Sequence, residues 1–176
     1  MFEAIQNRRL TRSYKATPVS NKTLEILLEA ARLSPSAKNI QPWHFIVVKD
    51  REKRKALSKG FFAKFLSEVP VVIVLCGDEK ASPDWYVVDV ALAGENMVLA
   101  ATSEGLDTSW VGNFDEKVVQ DQLGIPKDLR VVALLALGYA RETQSIKRRI
   151  MGFMHRRKAL NEIASWEMYG NKLEGA

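Results

Sequence analysis

The chain has 176 residues, of which 47% are hydrophobic and 27% charged, and it carries a net charge of +5. This size and balance predict one soluble globular domain over residues 1–176. The single cysteine, Cys76, excludes a disulfide within the chain, and its apolar neighbours favour a buried, unreactive thiol. The longest apolar runs are only as long as a strand, so we expect no membrane span. Because no disulfide can form within the chain, we expect a cytoplasmic protein.

The hydrophobic pattern of the first third predicts two helices, a strand and a third helix. A short helix covers Phe2 to about Arg9, and Ser20 caps an amphipathic second helix. A strand over Phe45–Val48 and a charged helix from Arg51 to about Lys59 follow. A loop with two prolines separates the second helix from the strand.

The rest of the chain alternates buried strands with helices. Val71–Leu75 and Val131–Leu137 are apolar throughout, which is typical of central strands covered on both faces. Between them we predict a long helix from Trp85 to Glu104 capped by Asp84, then a strand at Thr108–Val111, a helix at Glu116–Leu123 and, after the second apolar strand, a helical tail over Ser145–Trp166. The long helix is expected to face the core with Val87, Val90, Ala91, Gly94, Met97, Val98 and Ala101.

This alternation predicts a mixed α/β or α+β fold of the sandwich type, in which helices cover both faces of a central mixed sheet. Small residues of the long helix, namely Ala91, Ala93 and Gly94, would permit the close approach of another helix, for example from a second subunit.

The segment Ser34–Trp43 is the most informative loop of the sequence. Its two prolines restrict the backbone of the residues around them. Ser36, Asn39 and Gln41 offer uncharged hydrogen-bond donors and acceptors, which suit the edge of a planar heterocycle. The alternative is an ordinary helix-to-strand connection rich in turn-forming residues.

Positive charge is concentrated towards the two ends of the chain. Residues 1–15 have a net charge of +3 and residues 141–158 a net charge of +6. We predict that the two ends share an anion, with Arg8 and Arg12 on one side of a helix end and Arg156 and Arg157 closing from the tail. Two solvated helix faces, or a groove for nucleic acid, are the alternatives, although no exposed aromatic residues interleave with the basic clusters.

Several kinds of catalytic motif are absent from the sequence. His44 and His155 are the only histidines, and neither has a partner at metal-ligand spacing, so we predict no metal site. The chain has no nucleophile elbow, no Walker loop and no dinucleotide-binding glycine motif. We predict no catalytic side chain, so in an enzyme a cofactor would carry the reaction. A phosphate at the basic ends and a ring at the loop would describe a mononucleotide.

Five segments in order resemble the nitroreductase family, the FMN-dependent NAD(P)H oxidoreductases. They are Arg8–Arg12, Ser34–Trp43, Gly94–Ala101, Gly105–Phe114, and Leu137–Ala140 taken with Arg157–Leu160. The resemblance covers essentially the whole chain, and Ser34–Trp43 is its most specific part.

The resemblance implies an interlocked homodimer with two FMN sites at the subunit interface. Hydride would pass from NAD(P)H through flavin N5 to a flat acceptor such as a nitroaromatic or a quinone, in a ping-pong reaction. The FMN-binding residues that it implies are Arg8, Arg9, Leu10, Arg12, Pro35, Ser36, Ala37, Asn39, Gln41, Val111, Gly112, Asn113, Arg156 and Arg157.

Two other functions stay open from the sequence. One keeps the fold and FMN but changes the chemistry, towards reductive dehalogenation, oxidation of a heterocycle or breakdown of the flavin. The other is a non-enzymatic module that binds nucleic acid or an acidic partner through its basic ends. For the favoured function we expect neither nucleic acid nor membrane as a partner.

Overall fold

The computed structural model, which describes residues 2–58, 64–141 and 157–172, is built on a four-stranded antiparallel sheet. The strands are β1 (Trp43–Val48), β2 (Val71–Asp78), β3 (Asp107–Val111) and β4 (Leu129–Gly138). Their spatial order is β1-β2-β4-β3. The two apolar runs of the sequence are therefore the two inner strands, as predicted, because inner strands covered on both faces need apolar side chains on both.

The α+β fold is confirmed, but the predicted mixed sheet is not what the four strands form. Each of the three strand pairs is antiparallel, and the parallel pairing described is one isolated bridge between Leu10 and Thr108. The hydrophobic pattern of a strand reports which faces are buried. It contains no information on the direction of the neighbouring strand, so this part of the prediction had no physical support.

Five helices are described before residue 142, and side chains cap three of them. They are α1 (Phe2–Asn7), α2 (Asn21–Arg32), α3 (Arg51–Leu57), α4 (Tyr86–Ser103) and α5 (Glu116–Leu123). The predicted cap of α2 is confirmed, since the Ser20 hydroxyl accepts a hydrogen bond of 3.0 Å from the Thr23 amide. The predicted Asp84 cap of α4 is wrong, because the first amides of that helix donate to the Ser82 carbonyl instead.

Two apolar layers cover the two faces of the sheet. Alternate residues of β2 divide between them, because successive side chains of a strand point to opposite faces. Ile73 and Leu75 pack in the layer that contains α2 and α4, whereas Val74 and Cys76 pack in the layer beneath α3 and α5. Burial raises the pKa of the Cys76 thiol to about 11, which agrees with an unreactive buried cysteine.

The buried side of α4 differs from the prediction at its beginning. Val90, Gly94, Met97, Val98 and Ala101 are buried as expected, whereas Val87 and Ala91 are exposed. In their place the helix buries Asp89 and Ala93. Val87 lies on the same side of the helix as Gly94 and Val98, which follow it by about two and about three turns, so Val87 is exposed because no described element covers this side at the start of α4.

Gly94 permits a close approach, but by a side chain of the same chain rather than by another helix. A Cβ atom built on Gly94 would lie 2.3 Å from Cη2 of Trp110 in β3. Helix α4 therefore packs against the end of β3 at a position where no larger residue fits.

The chain divides into two compact units, residues 1–141 and 142–176. The described part of the second unit has one short helix, α6 (Leu160–Ile163). Most of the predicted helical tail, up to residue 156, lies outside the described residues. Residues 157–159 and 164–166 are not helical, so the prediction is wrong for them. The helix begins only after Ala159, whose amide donates a hydrogen bond to the Glu162 side chain. No helix in the described ranges has both the length and the apolar character that a membrane crossing requires.

Candidate functional site

The loop between α2 and β1 has an unusual backbone. Ala37–Asn39 form a 3₁₀ turn, and three residues other than glycine have positive φ angles: 51° at Lys38, 57° at Asn39 and 54° at Gln41. Left-handed conformations are costly for residues with a Cβ atom and need support from their surroundings. The proline-restricted loop of the sequence is thus also a strained one.

Part of that support comes from bonds inside the loop. The Gln41 amide donates to the Ser36 hydroxyl over 2.9 Å, and the Gln41 side chain donates to the Asn39 carbonyl over 3.2 Å. The predicted ring-reading groups are therefore partly engaged with each other. The Ser36 hydroxyl hydrogen and the Asn39 side chain remain free to contact a ligand in the described structure.

Helix α4 ties the loop at two further points. Oδ1 of Asp89 accepts a hydrogen bond of 3.1 Å from the Ala37 amide. Two turns along the helix, Nδ2 of Asn96 donates to the Ser34 hydroxyl over 2.7 Å. The loop is thus fixed to a long, buried helix as well as closed on itself.

A cavity of about 320 Å³ lies between the loop and α4, and we call it the loop cavity. Three of the predicted site residues line it, together with four residues of α4 or its cap: Pro35, Ser36, Ala37, Trp85, Val88, Asp89 and Leu92. Trp85, Val88 and Leu92 are 54%, 45% and 45% exposed. Its accessible walls are apolar, since the polar atoms of Ser36 and Asp89 are not exposed to it.

A second cavity, of about 170 Å³, lies at the end of β3, and we call it the strand-end cavity. Four predicted residues and two aromatic ones line it: Arg12, Val111, Gly112, Asn113, Phe65 and Trp110. The chain after α1 runs beside β3, where Leu10 forms its bridge to Thr108 and the Thr11 amide donates to the Thr108 carbonyl over 3.2 Å. This path brings Arg12 to the point where β3 ends.

The predicted arrangement of the N-terminal arginines is wrong in one respect. Helix α1 ends at Asn7, so Arg8 and Arg12 do not share one side of a helix end. Arg8 lies 4.0 Å from the Glu95 carboxylate, and the Arg9 guanidinium donates to the Gln6 carbonyl over 2.6 Å. Leu10 is 54% exposed. Of these residues Arg12 lines the strand-end cavity, and it has no ion pair within the described ranges.

The two predicted site arginines of the basic tail lie outside the first compact unit. Arg156 lies outside the described residues. Arg157 is exposed and belongs to the second compact unit. The shared anion at the two ends of the chain therefore stays a prediction.

Apart from Arg8, Arg9 and Leu10, the predicted site residues of the first unit thus form two groups. Pro35, Ser36 and Ala37 line the loop cavity, and Asn39 and Gln41 lie exposed just beyond it. Arg12 and residues 111–113 line the strand-end cavity. Neither cavity includes a residue of the other.

Six residues that line these cavities are not among the predicted site residues: Phe65, Trp85, Val88, Asp89, Leu92 and Trp110. Phe65 and Trp110 line the strand-end cavity, where Phe65 also stacks on Tyr14 with the ring centroids 6.4 Å apart. Asp89 was overlooked. Its signal was an acidic residue within an otherwise apolar stretch, Val87–Ala91. Among the described residues, no group of three or more histidine, cysteine or acidic side chains could hold a metal ion.

Comparison with known proteins gives consistent results. The model of the nitroreductase family matches residues 5–72 and 57–139. A putative NADH dehydrogenase/NAD(P)H nitroreductase of Archaeoglobus fulgidus is 40% identical over 149 residues, which cover 80% of this chain and 86% of that protein.

Solved structures show the same similarity. An FMN-dependent nitroreductase from Clostridium difficile has a TM-score of 0.75 and 33% identity over 81% of this chain and 88% of its own. A putative NADH dehydrogenase/NAD(P)H nitroreductase from Bacteroides thetaiotaomicron has a TM-score of 0.83 and 25% identity over 96% of this chain and 97% of its own. With its family match, its relatives and its fold in agreement, the chain belongs to the nitroreductase family, a family of oxidoreductases.

Proposed function

We propose that the protein binds FMN and passes hydride from NAD(P)H to a flat acceptor such as a nitroaromatic or a quinone. Relatives support the proposal, because they include proteins named NAD(P)H nitroreductase and FMN-dependent nitroreductase. The observation that carries the proposal is the chemistry of the two cavities. One offers uncharged polar groups on a fixed loop, and the other offers an unpaired guanidinium beside a strand end.

The residues of the strand-end cavity fit a phosphorylated cofactor with a polar-edged ring. Arg12 supplies a positive charge that no carboxylate in the described structure neutralises. The β3–β4 ladder ends at Val111, and the amides of Gly112 and Asn113 donate to no described acceptor. A Cβ atom on Gly112 would meet nothing within 4 Å, so this backbone is open to a ring. Such amides and a nearby cation stabilise negative charge in a ring or a phosphate.

The proposed site is completed by a second copy of the chain. The strand-end cavity, at about 170 Å³, is smaller than the roughly 300 Å³ at which ligand pockets begin. In a homodimer the loop of one copy would face the strand end of its partner, so that the two groups of predicted residues would line one site. The exposed apolar side chains of Trp85, Val88 and Leu92 would then be buried.

FMN would supply the hydride chemistry, and the protein would bind, orient and charge-stabilise it. Pro35 and Ala37 offer apolar contact to a ring, while the Ser36 hydroxyl and the Asn39 side chain offer hydrogen bonds to its edge. Arg12 would hold either the phosphate or the electron-rich edge of the ring. This division of roles agrees with the lack of a catalytic side-chain motif in the sequence.

A second candidate keeps the cofactor and changes the reaction to breakdown of the flavin. A relative from Rhodospirillum rubrum named 5,6-dimethylbenzimidazole synthase is 28% identical over 173 residues, covering 80% of this chain. Membership of an oxidoreductase family removes the support for the non-enzymatic alternative.

An absorbance scan of the purified protein, followed by anaerobic addition of NADH or NADPH, tests the proposal. We expect flavin bands near ~370 and ~450 nm that bleach on addition, and that recover when a quinone or a nitroaromatic is added. Bands that do not bleach would favour the second candidate. Colourless protein that cannot be reconstituted with FMN would contradict both. Light scattering is expected to report the mass of two chains.

A further inference from the structure

Asp89 is the only acidic or basic side chain among the buried residues of the described chain, with 2% of its surface exposed. It lies in the first turns of α4 and lines the loop cavity. We propose that Asp89 is a positioning residue, which holds Ser36–Gln41 in the conformation that faces the cofactor. The inference rests on the proposed FMN function and deepens it.

The contact that carries the proposal joins two distant parts of the chain. Oδ1 of Asp89 accepts a hydrogen bond from the Ala37 amide, 52 residues earlier in the sequence. Ala37 is the first residue of the 3₁₀ turn, immediately before the residues with positive φ. The bond therefore fixes the loop at the point where its strained part begins.

The backbone of the loop needs a bond from outside. Lys38, Asn39 and Gln41 all adopt left-handed conformations, which persist only when surrounding contacts over-determine them. The bonds from Gln41 to Ser36 and from Asn39 to Ser36 are local, so they would survive a movement of the loop as one body. The bond to Asp89, like that from Asn96 to Ser34, fixes the loop relative to α4, and of the two it acts within Ser36–Gln41.

The second oxygen of the same carboxylate indicates that Asp89 has a role other than stabilising the folded protein. Oδ2 of Asp89 is buried and has no hydrogen-bond partner among the described residues. A buried polar atom without a partner destabilises the folded protein. Asp89 therefore fixes the loop at a cost to stability, a combination that is typical of functional sites.

A residue with a purely structural role would behave differently when replaced. Its loss would lower the stability of the apoprotein and would leave the environment of a bound flavin unchanged. A positioning residue would alter the flavin environment with little loss of stability. The two roles are separated by measuring both quantities on the same variants.

The main variants are Asp89→Leu, which removes the acceptor while keeping the number and branching of the side-chain heavy atoms, and Asp89→Asn, which keeps an acceptor for the Ala37 amide. FMN affinity, the visible circular dichroism of bound FMN and the unfolding temperature of the apoprotein are measured on the full chain. We expect Asp89→Leu to weaken FMN binding by about tenfold or more, the scale of one hydrogen bond to a charged group, and to change the dichroism. Asp89→Asn should restore most of both, and neither should lower the unfolding temperature markedly.

Two further variants serve as matched controls. Val98→Ala removes buried methyl groups from the same helix, where Val98 is fully buried, and should lower stability while leaving FMN affinity unchanged. Ala37→Pro deletes the donor from the other side of the bond. Ser36 has φ −143° and ψ 156°, the extended conformation that precedes proline, and proline is tolerated as the first residue of a helical turn.

The double variant Asp89→Leu with Ala37→Pro gives the sharpest result. Both changes remove the same hydrogen bond. The FMN affinity of the double variant should therefore be close to that of whichever single variant binds FMN less tightly. Additive losses would overturn the proposal, as would an Asp89→Leu variant with wild-type affinity and dichroism. If the wild-type protein binds no FMN, the proposed function fails and the inference fails with it. If the wild type binds FMN and the variants bind it equally well, the inference alone fails.

Discussion

The loop cavity and the strand-end cavity are built in different ways. The loop cavity owes its shape to side chains of α4, which tie a strained loop at Ser34 and Ala37. The strand-end cavity owes its shape to the sheet, because the β3–β4 ladder places Val111 and the residues that follow it. The loop cavity is fixed by a few side-chain hydrogen bonds, which single substitutions can remove. The strand-end cavity is fixed by backbone hydrogen bonds of the sheet, which single side-chain substitutions do not remove.

The two cavities also differ in charge. The residues that line the loop cavity include a buried acidic residue and no cation. Those that line the strand-end cavity include no carboxylate and one cation, Arg12, which has no ion pair among the described residues. An anionic group of a ligand would therefore bind at the strand end, and an uncharged ring would suit the loop. For the proposed function, the two groups of residues would be chemically complementary parts of one site, and neither would enclose a cofactor alone.

The largest effect on FMN affinity is expected when the positive charge of the strand-end cavity is removed. Arg12→Ala should weaken FMN binding by about 1.5–3 kcal/mol, because it removes a charge-assisted hydrogen bond. Arg32→Ala is the matched control, since Arg32 is exposed and paired with Glu29 over 2.7 Å on α2. Isothermal titration of the apoprotein with FMN measures both.

Arg8→Ala extends the same test to the N-terminal basic segment. The sequence predicts a similar loss for Arg8, but the structure places its guanidinium 4.0 Å from Glu95 and not in the strand-end cavity. A loss for Arg12→Ala that exceeds the loss for Arg8→Ala would assign the anion to the strand end. Unchanged affinity in Arg12→Ala would contradict the assignment.

The next effect concerns the packing that supports the strand end. Gly94→Ala would place a methyl group 2.3 Å from the Trp110 ring and 3.1 Å from Leu75. Overpacking of this kind destabilises a protein by about 1–3 kcal/mol. Urea unfolding of the apoprotein measures the change. Gly112→Ala is the control for stability, because a methyl group there meets nothing within 4 Å. Equal unfolding midpoints for the two variants would show that Trp110 can move aside at little cost.

Much of the fold could be predicted from the sequence because burial leaves a periodic pattern. The apolar runs identified the two inner strands, and the Ser20 cap marked the start of α2. The direction of the strands, and the exposure of Val87 and Ala91, depend on which elements pack together. Those contacts join residues far apart in sequence, and they leave no local pattern.

The candidate site shows the same limit. The loop was recognised from its prolines and polar residues, and Arg12 from its place in a basic segment. The pairing of Asp89 with Ala37 spans 52 residues, and the proximity of Arg12 to Trp110 depends on the path of the chain beside β3. The division into two cavities could not be predicted either. The sequence motifs assign the loop and the end of β3 to one FMN site, but they contain no information on the distance between these two segments within one chain.

The smallest expected effect concerns the helix that follows the strand end. Both Glu116 oxygens, at the start of α5, accept hydrogen bonds from the Arg130 guanidinium, at 2.9 and 3.0 Å, and one also accepts from the Val131 amide. These bonds, those of Arg130 above all, lower the pKa of Glu116 below its ordinary value of 4.5. The ionised carboxylate therefore ties α5 to β4, and it does so only while it is deprotonated.

The sign of the pH dependence follows from that direction. Because folding lowers the pKa of Glu116, its contribution to stability is complete above about pH 4.5 and is lost as the pH falls through the folded-state pKa. Glu116→Gln should lower the free energy of unfolding by about 0.2–1 kcal/mol near pH 7, the range for partly exposed pairs, and by less near pH 3. Thermal unfolding across this range measures the difference, with Glu104→Gln, at an exposed position, as the control. A difference that stayed constant with pH would mean that the amide variant loses packing rather than charge. The stability of the region around the end of β3 would then not depend on the ionisation of Glu116.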